Sequence, residues 1–184
     1  MAKSRIRWSS RRFIGCGLKN DMSVARAILY LLIGVFVAHI VFYYPNLPEN
    51  VASHFNGLGE PDGFMSKQNF VIFEGLILLI IIFEFTLIPF IIKQMPNSLI
   101  NLPNKDYWLA PERRDATFGI FGNYFEWFSI ALLSLFIAVN HLIFQANLTK
   151  QNLSGTSMWL ILGAFLVFTI VWLIKFISQF RLRS

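Results

Sequence analysis

Four apolar stretches dominate this chain, and each is long enough to cross a lipid bilayer. They occupy residues 24–44, 70–92, 118–144 and 157–177. A helix needs about 20 largely apolar residues to span the hydrocarbon core, and inside that core only a helix or a closed barrel satisfies its own backbone hydrogen bonds. We therefore predict an all-α integral membrane protein, a four-transmembrane-helix bundle with a short structured outer loop that has room for a small hairpin.

The polar remainder of the chain is too short for a separate soluble domain, since 55% of the 184 residues are hydrophobic and only 14% are charged. We therefore expect one membrane domain over residues 1–184. The long apolar run that follows the basic leader favours an uncleaved anchor over a signal peptide. The polar segments are a leader (1–23), an outer loop (45–69), a cytoplasmic loop (93–117), a second outer loop (145–156) and a tail (178–184).

The distribution of basic residues predicts the orientation. Of the sixteen Lys and Arg residues, only Lys67 and Lys150 fall in the first and third connections. Because cationic loops are retained in the cytoplasm, both termini and the loop at 93–117 should be cytoplasmic. The net charge of +6 then reflects this topology and contact with anionic membrane lipids, and no nucleic-acid partner is predicted.

The first outer loop, YPNLPENVASHFNGLGEPDGFMSKQN, has strong turn chemistry. Pro45 and Pro48 should end the first helix, and residues 60–63 form a Glu-Pro-Asp-Gly turn signal. Residues 51–55 and 64–66 are candidates for a short hairpin or a tight cap. The side chains that we select as candidate ligand-binding groups are His54, Asn56, Asp62 and Lys67.

The run LPENVASHFNGLGEPDGFMSK also resembles the signature of the bacterial domain of unknown function 1648. The matching positions are Leu47, Pro48, His54, Phe55, Asn56, Gly59, Pro61, Asp62, Gly63, Phe64 and Lys67. The middle-loop run NLPNKDYWLAPERRDAT is similar to small members of that family. The resemblance implies a bacterial inner-membrane protein. It also extends to the N-terminal region of SdpI-type proteins, which confer immunity to a secreted peptide toxin and relay its presence inward, and so implies an immunity or signal-relay role.

The middle loop carries a second group of candidate residues. They are Asn104, Tyr107, Trp108, Glu112, Arg113 and Arg114. Pro111 should lie in the first turn of the third span. The arginines have two interpretations, contact with lipid phosphates and docking of a cytoplasmic protein partner.

Polar residues inside the apolar stretches are costly and therefore informative. They are His39, Glu74, Glu84, Asn123, Glu126, Ser129, Ser134 and His141. Helix rise places His39 level with Glu74 near the outer ends of their spans, and Glu84 level with Glu126 nearer the inner ends. Two facing carboxylates would repel, so we expect at least one to be protonated unless a cation lies between them.

The third span adds a polar stripe. Asn123, Glu126, Ser134 and His141 fall within about 80° on a helix, and Ser129 and Asn140 widen this face. Such a face should turn inward. It is compatible with hydrogen bonding between helices and with a narrow hydrated path.

Neither a metal nor another cofactor is predicted. His39, His54 and His141 lie in the outer half and, with Glu74 and Asp62, would offer mixed nitrogen and oxygen ligands, but a structural hydrogen bond from His54 to Asp62 or to a loop carbonyl is the favoured interpretation. The sequence has no His-Glu-x-x-His, Gly-x-Ser-x-Gly, P-loop or Cys-x-x-Cys motif, so no enzyme is predicted. The leading hypothesis is recognition of a peptide, lipid or small envelope ligand by the outer loop. The alternative is a proton- or cation-coupled transporter that uses the intramembrane carboxylates.

Overall fold

A computed structural model describes residues 17–181, and the side chains of residues 24–181. Most of the predicted leader (1–23) and the end of the predicted tail (178–184) lie outside this range. The elements are α1 (Gly17–Tyr43), β1 (Asn50–Phe55), β2 (Pro61–Ser66), α2 (Lys67–Gln94), α3 (Lys105–Trp108), α4 (Arg114–Thr149) and α5 (Gly155–Gln179).

Four helices are long and apolar enough to cross a membrane, as the sequence predicts. The qualifying segments are Val24–Asn46, Lys67–Gln94, Arg114–Thr149 and Gly155–Gln179. The structure adds a two-stranded sheet to this helical set, so the predicted small hairpin is present.

Polar capping residues make the helices longer than the apolar stretches. The Ser66 hydroxyl accepts a hydrogen bond from the Asn69 N–H at 3.2 Å and starts α2, and Ser154 starts α5 in the same way. Lys150 ends α4 in the left-handed conformation, with φ 54°. Hydropathy alone does not report these caps, because they lie in the polar sequence outside each span.

Helix α4 is the hub of the helical assembly. It packs against α1, α2 and α5, whereas these three make few contacts with one another among the described residues. The middle of the core lies between α1, α2 and α4, where Leu29, Phe36, Ile81 and Leu133 are fully or almost fully buried. Helix α5 buries none of its own residues within the described chain, so it lies on the flank of α4.

The molecule has two distinct ends. We call the end that carries β1 and β2 the hairpin end, and the end where residues 95–113 join α2 to α4 the linker end. Helix α4 runs from the linker end to the hairpin end.

The hairpin turns earlier than the sequence signal indicates. Residues 61–63 belong to β2, and the turn lies at residues 57–59. The Asn56 side-chain oxygen accepts hydrogen bonds from the Leu58 and Glu60 N–H groups at 2.9 and 3.0 Å, and Gly59 takes a φ of +79°. The Asn56 side chain therefore closes the turn, and the Pro-Asp-Gly run becomes strand.

Register irregularities flank His54, which pairs with Gly63. A Cβ at position 63 would lie 2.8 Å from the His54 Cβ. Only glycine therefore fits opposite this histidine without displacement of a strand.

The hairpin is fixed to α4 and to the connection that follows it. The Asn147 amide group accepts from the Ala52 N–H at 2.8 Å and donates to the Ala52 carbonyl at 2.9 Å. The Leu153 N–H donates to the Gly59 carbonyl at 2.8 Å. Val51 is fully buried beside Phe144 of α4, so polar and apolar contacts both hold the hairpin against the helices.

Candidate recognition site at the hairpin end

His54 and Asp62, two of the predicted ligand-binding residues, lie together on the exposed face of the hairpin. The His54 Nδ1 atom contacts the Asp62 carboxylate, and the two side chains are 74% and 44% exposed. A polar contact this exposed contributes little to stability. Both groups are therefore free to meet a ligand.

Asn56 and Lys67, the other two, have internal partners. The Asn56 amide group closes the turn and also donates to the Glu60 carboxylate at 2.9 Å. The Lys67 ammonium is buried, donates to the Leu47 carbonyl at 3.2 Å, and lies 4.6 Å from the centre of the Tyr44 ring. The geometry assigns both side chains to holding the loop in shape.

A groove of about 300 Å³ lies beside the hairpin and involves residues that the sequence did not select. Both strands and the α4–α5 connection line it, and its main side chains are Phe55, Pro61, Phe64, Asn147, Lys150 and Asn152. We call it the hairpin groove. Phe64 is 62% exposed, so its ring is accessible at the groove.

The distribution of Lys and Arg residues along the sequence indicates in part where this groove lies. That pattern places residues 45–69 and 145–156 on the same side, so two polar loops are expected to share one end. Their contact through Ala52 and Asn147 could not be read from the sequence, because helix packing decides which side chains meet.

The carboxylate of Glu126, which lies in the third apolar stretch, pairs with Arg26 of α1. Arg26 donates to Glu126 Oε1 from Nε at 2.9 Å and from Nη2 at 2.6 Å. The Glu126 side chain is only 4% exposed, and its Oε2 atom has no hydrogen-bond partner among the described residues. Arg26, near the start of the first apolar stretch, thus gives Glu126 a cationic partner, the alternative to protonation that the sequence argument left open.

The other two carboxylates take partners from α4. Asn140 donates to Glu74 Oε2 at 2.6 Å in a buried contact. Ser129 donates to Glu84 Oε2 at 3.4 Å. The expected pair of His39 with Glu74 is not formed in the described chain, because α4 lies between α1 and α2.

His39 contacts the other end of the polar stripe instead. Its Nε2 atom lies 3.4 Å from His141 Nδ1, and the Tyr43 hydroxyl lies 3.4 Å from the same atom. Ser134 donates to the Ile130 carbonyl of its own helix at 2.8 Å. The Asn123 side-chain nitrogen is buried without a partner among the described residues. Most of the stripe therefore joins helices by hydrogen bonds.

The predicted middle-loop residues mostly hold the linker end together. The Asn104 and Trp108 side chains both donate to the Phe180 carbonyl at 3.0 Å. The Arg113 guanidinium stacks on the Tyr107 ring at 4.1 Å. Arg114 donates to the Lys93 and Met95 carbonyls at 2.9 and 2.8 Å.

Glu112 is exposed at this end, and no hydrogen bond or salt bridge joins its side chain to another described residue.

The histidines divide between two places. His54 lies on the hairpin, while His39 and His141 meet between α1 and α4. Among the described side chains, those of residues 24–181, no three His, Cys, Asp or Glu groups come together as metal ligands would. The mixed metal site considered from the sequence is therefore not assembled in this part of the chain.

Comparison with known proteins bears on the first helix, the hairpin and the first half of α2. No curated protein and no solved structure matches the chain significantly. Residues 31–82 match the family described as Domain of unknown function (DUF1648). This range contains the whole hairpin and ends within α2, so the similarity to this family covers 52 of the 184 residues.

Proposed function

We propose that this is a multi-pass protein of the bacterial inner membrane that recognises a ligand at its hairpin end and catalyses no reaction. The charge asymmetry supports an orientation with the hairpin end outside and the linker end in the cytoplasm. The resemblance to SdpI-type proteins supports a role in immunity or signal relay.

The hairpin groove is the observation that carries the proposal. Its walls offer two aromatic rings, Phe55 and Phe64, together with amide groups and the exposed ammonium of Lys150. None of the described residues that line it is acidic. This chemistry suits a peptide or small envelope ligand that has an apolar side chain close to a carboxylate or another hydrogen-bond acceptor.

The rigid attachment of the hairpin favours recognition over a passive linker. A groove whose walls are already hydrogen-bonded in place loses little entropy when a ligand binds. Asn147 and Leu153 supply those bonds from α4 and from the connection to α5.

A relay to the cytoplasm is the second part of the proposal. Helix α4 extends over 36 residues from Arg114 to Thr149, so one rigid element joins the groove to the linker end. Glu112 and Tyr107 are exposed there and are available to a cytoplasmic protein partner.

The experiment that tests recognition places a photoreactive side chain in the groove. Cells that carry Phe64→p-benzoylphenylalanine are irradiated, and the protein is examined for a covalent adduct of defined mass. Leu58 is the matched control, because it is 77% exposed at the hairpin turn but does not line the groove.

We expect an adduct from position 64 that Lys150→Gln weakens, and none of that mass from position 58. Equal labelling at both positions, or no adduct at either, would count against a ligand in the groove.

One observation favours the transport alternative: the Oε2 atom of Glu126 is buried and has no hydrogen-bond partner among the described residues. Such an oxygen can hold a proton or contact a cation. Flux into proteoliposomes, compared between the parent and Glu126→Gln, decides the matter. Proton or cation flux that depends on this carboxylate would establish transport. Absence of flux would exclude the transport alternative.

A further inference from the structure

A second cleft lies near the linker end, on the flank where α5 meets α4. It has a volume of about 440 Å³, and its lining includes Asn123 and Trp127 of α4 and Phe168, Val171 and Lys175 of α5. We call it the flank cleft. It shares no lining residue with the hairpin groove.

Two hydrogen bonds hold the helices in position around the flank cleft. The Trp172 indole N–H donates to the Tyr124 carbonyl at 3.0 Å, and the Tyr124 hydroxyl donates to the Lys175 carbonyl at 3.3 Å. The polar ends of these two rings are therefore already occupied. They leave mainly apolar ring faces toward the cleft.

The polar groups that remain include two hydrogen-bond donors. The Asn123 side-chain nitrogen is buried and has no acceptor among the described residues. The Lys175 side chain is exposed, and no carboxylate lies within 4.0 Å of its ammonium among the residues that the structure describes. The Lys175 ammonium is therefore the accessible donor at the cleft, and a ligand that brings an anionic acceptor group would pair with it.

The depths of Lys175 and Phe168 along α5 match the positions of the head group and the acyl chain of a membrane lipid. Lys175 lies four residues before the end of α5 at Gln179, about 6 Å along the helix. A lysine at this depth extends its ammonium to the head-group region. Phe168 lies seven residues deeper, about 10 Å, where an acyl chain would continue.

The surroundings of α5 indicate how a ligand would arrive. Ile170, Leu173 and Ile174 are exposed on the same helix, as expected for a surface that faces hydrocarbon. A molecule that enters the flank cleft therefore comes from the bilayer. Basic clefts between helices on the cytoplasmic side are suited to anionic lipid head groups.

We propose that the flank cleft binds one anionic phospholipid of the cytoplasmic leaflet. Its phosphate contacts Lys175, and an acyl chain lies along Val171 and Phe168 beside Asn123. This inference uses the membrane placement proposed above but does not depend on a ligand in the hairpin groove.

Native mass spectrometry of the full chain in detergent tests the inference. Phosphatidylglycerol, phosphatidylcholine with the same acyl chains, and soluble glycerol phosphate are added separately. We expect one retained phosphatidylglycerol per chain and at least about 10-fold weaker retention of phosphatidylcholine, because the choline cation of the latter offsets its phosphate charge and is repelled by the Lys175 ammonium.

Two variants and their controls locate the site. Lys175→Gln should weaken phosphatidylglycerol retention about 10-fold or more, whereas Lys105→Gln, the same charge change outside the cleft at the same end, should leave it unchanged. Val171→Trp should fill the cleft and displace the lipid. Val167→Trp, one turn away on α5 and outside the cleft lining, should not.

The contrary outcomes are equally clear. Equal retention of the two lipids, or equal behaviour of the two lysine variants, would overturn the proposal. Binding of glycerol phosphate as strong as that of phosphatidylglycerol would show an anion site and no lipid site. Each of these results leaves the photocrosslinking test of the hairpin groove unaffected.

Discussion

A methyl group added at Gly59 tests the attachment of the hairpin to the helices. Gly59 has a φ of +79°, and a Cβ at this position would lie 2.2 Å from the Leu153 carbonyl oxygen. Since both atoms adjoin the backbone, neither can swing away as the end of a long side chain would. Gly59→Ala must therefore separate the turn from the α4–α5 connection.

The magnitude follows from two costs. A left-handed conformation costs an alanine about 1–2 kcal/mol relative to glycine, and loss of the 2.8 Å bond from the Leu153 N–H to the Gly59 carbonyl costs about 1 kcal/mol. Together they should lower the local free energy of opening by about 2–3 kcal/mol, which raises amide exchange roughly 30- to 150-fold.

Hydrogen–deuterium exchange of the Leu153 amide is the assay, with Gly57→Ala as the matched control. A Cβ added at Gly57 would meet no atom within 4 Å, and this glycine has no positive φ, so exchange in the control should stay within a few-fold of the parent. Parent-like exchange in Gly59→Ala, or equal acceleration in both variants, would refute the proposed clamp.

Three further predictions concern the polar contacts, and all are measured as the free energy of unfolding in mixed micelles. Arg26→Leu should cost about 3 kcal/mol because it leaves Glu126 buried and unpaired, and adding Glu126→Leu should recover most of this loss; an unimproved double variant would contradict the pair. Asn140→Leu should cost about 1 kcal/mol and show coupling to Glu74→Gln in a double-mutant cycle, whereas additive effects would dismiss the contact. Lys67→Met should cost about 2 kcal/mol because the buried carbonyl groups that Lys67 contacts lose their donor. Parent-like stability would show that Lys67 does not hold the loop in shape and is available to a ligand.

The helical part of the fold could be predicted because hydropathy and length determine it. The four spans, the presence of a hairpin and the DUF1648 resemblance all follow from runs of neighbouring residues. The position of the turn did not follow. The turn signal at residues 60–63 is strong, but the side-chain hydrogen bonds of Asn56 close the turn just before it.

The pairing of polar side chains could be predicted only in part. Depth along each helix brings Glu84 and Glu126 to similar levels, and the structure places Ser129, a neighbour of Glu126 on α4, beside Glu84. Depth along a helix does not determine how the helices are rotated or which ones are neighbours. Arg26 and Asn140 could therefore not be identified as the partners of Glu126 and Glu74. The hairpin groove escapes prediction for a related reason, since its Phe64 and Lys150 come from loops far apart in the sequence.

The orientation of the two ends is the claim on which the proposals depend, and cysteine labelling tests it most directly. Leu58 at the hairpin end and Leu99 at the linker end are 77% and 65% exposed, so each is changed separately to cysteine in a Cys16→Ser background. A membrane-impermeant maleimide applied to intact cells should label Leu58→Cys, and should label Leu99→Cys only after the membrane is permeabilised. Labelling of Leu99→Cys in intact cells with protection of Leu58→Cys would contradict the account.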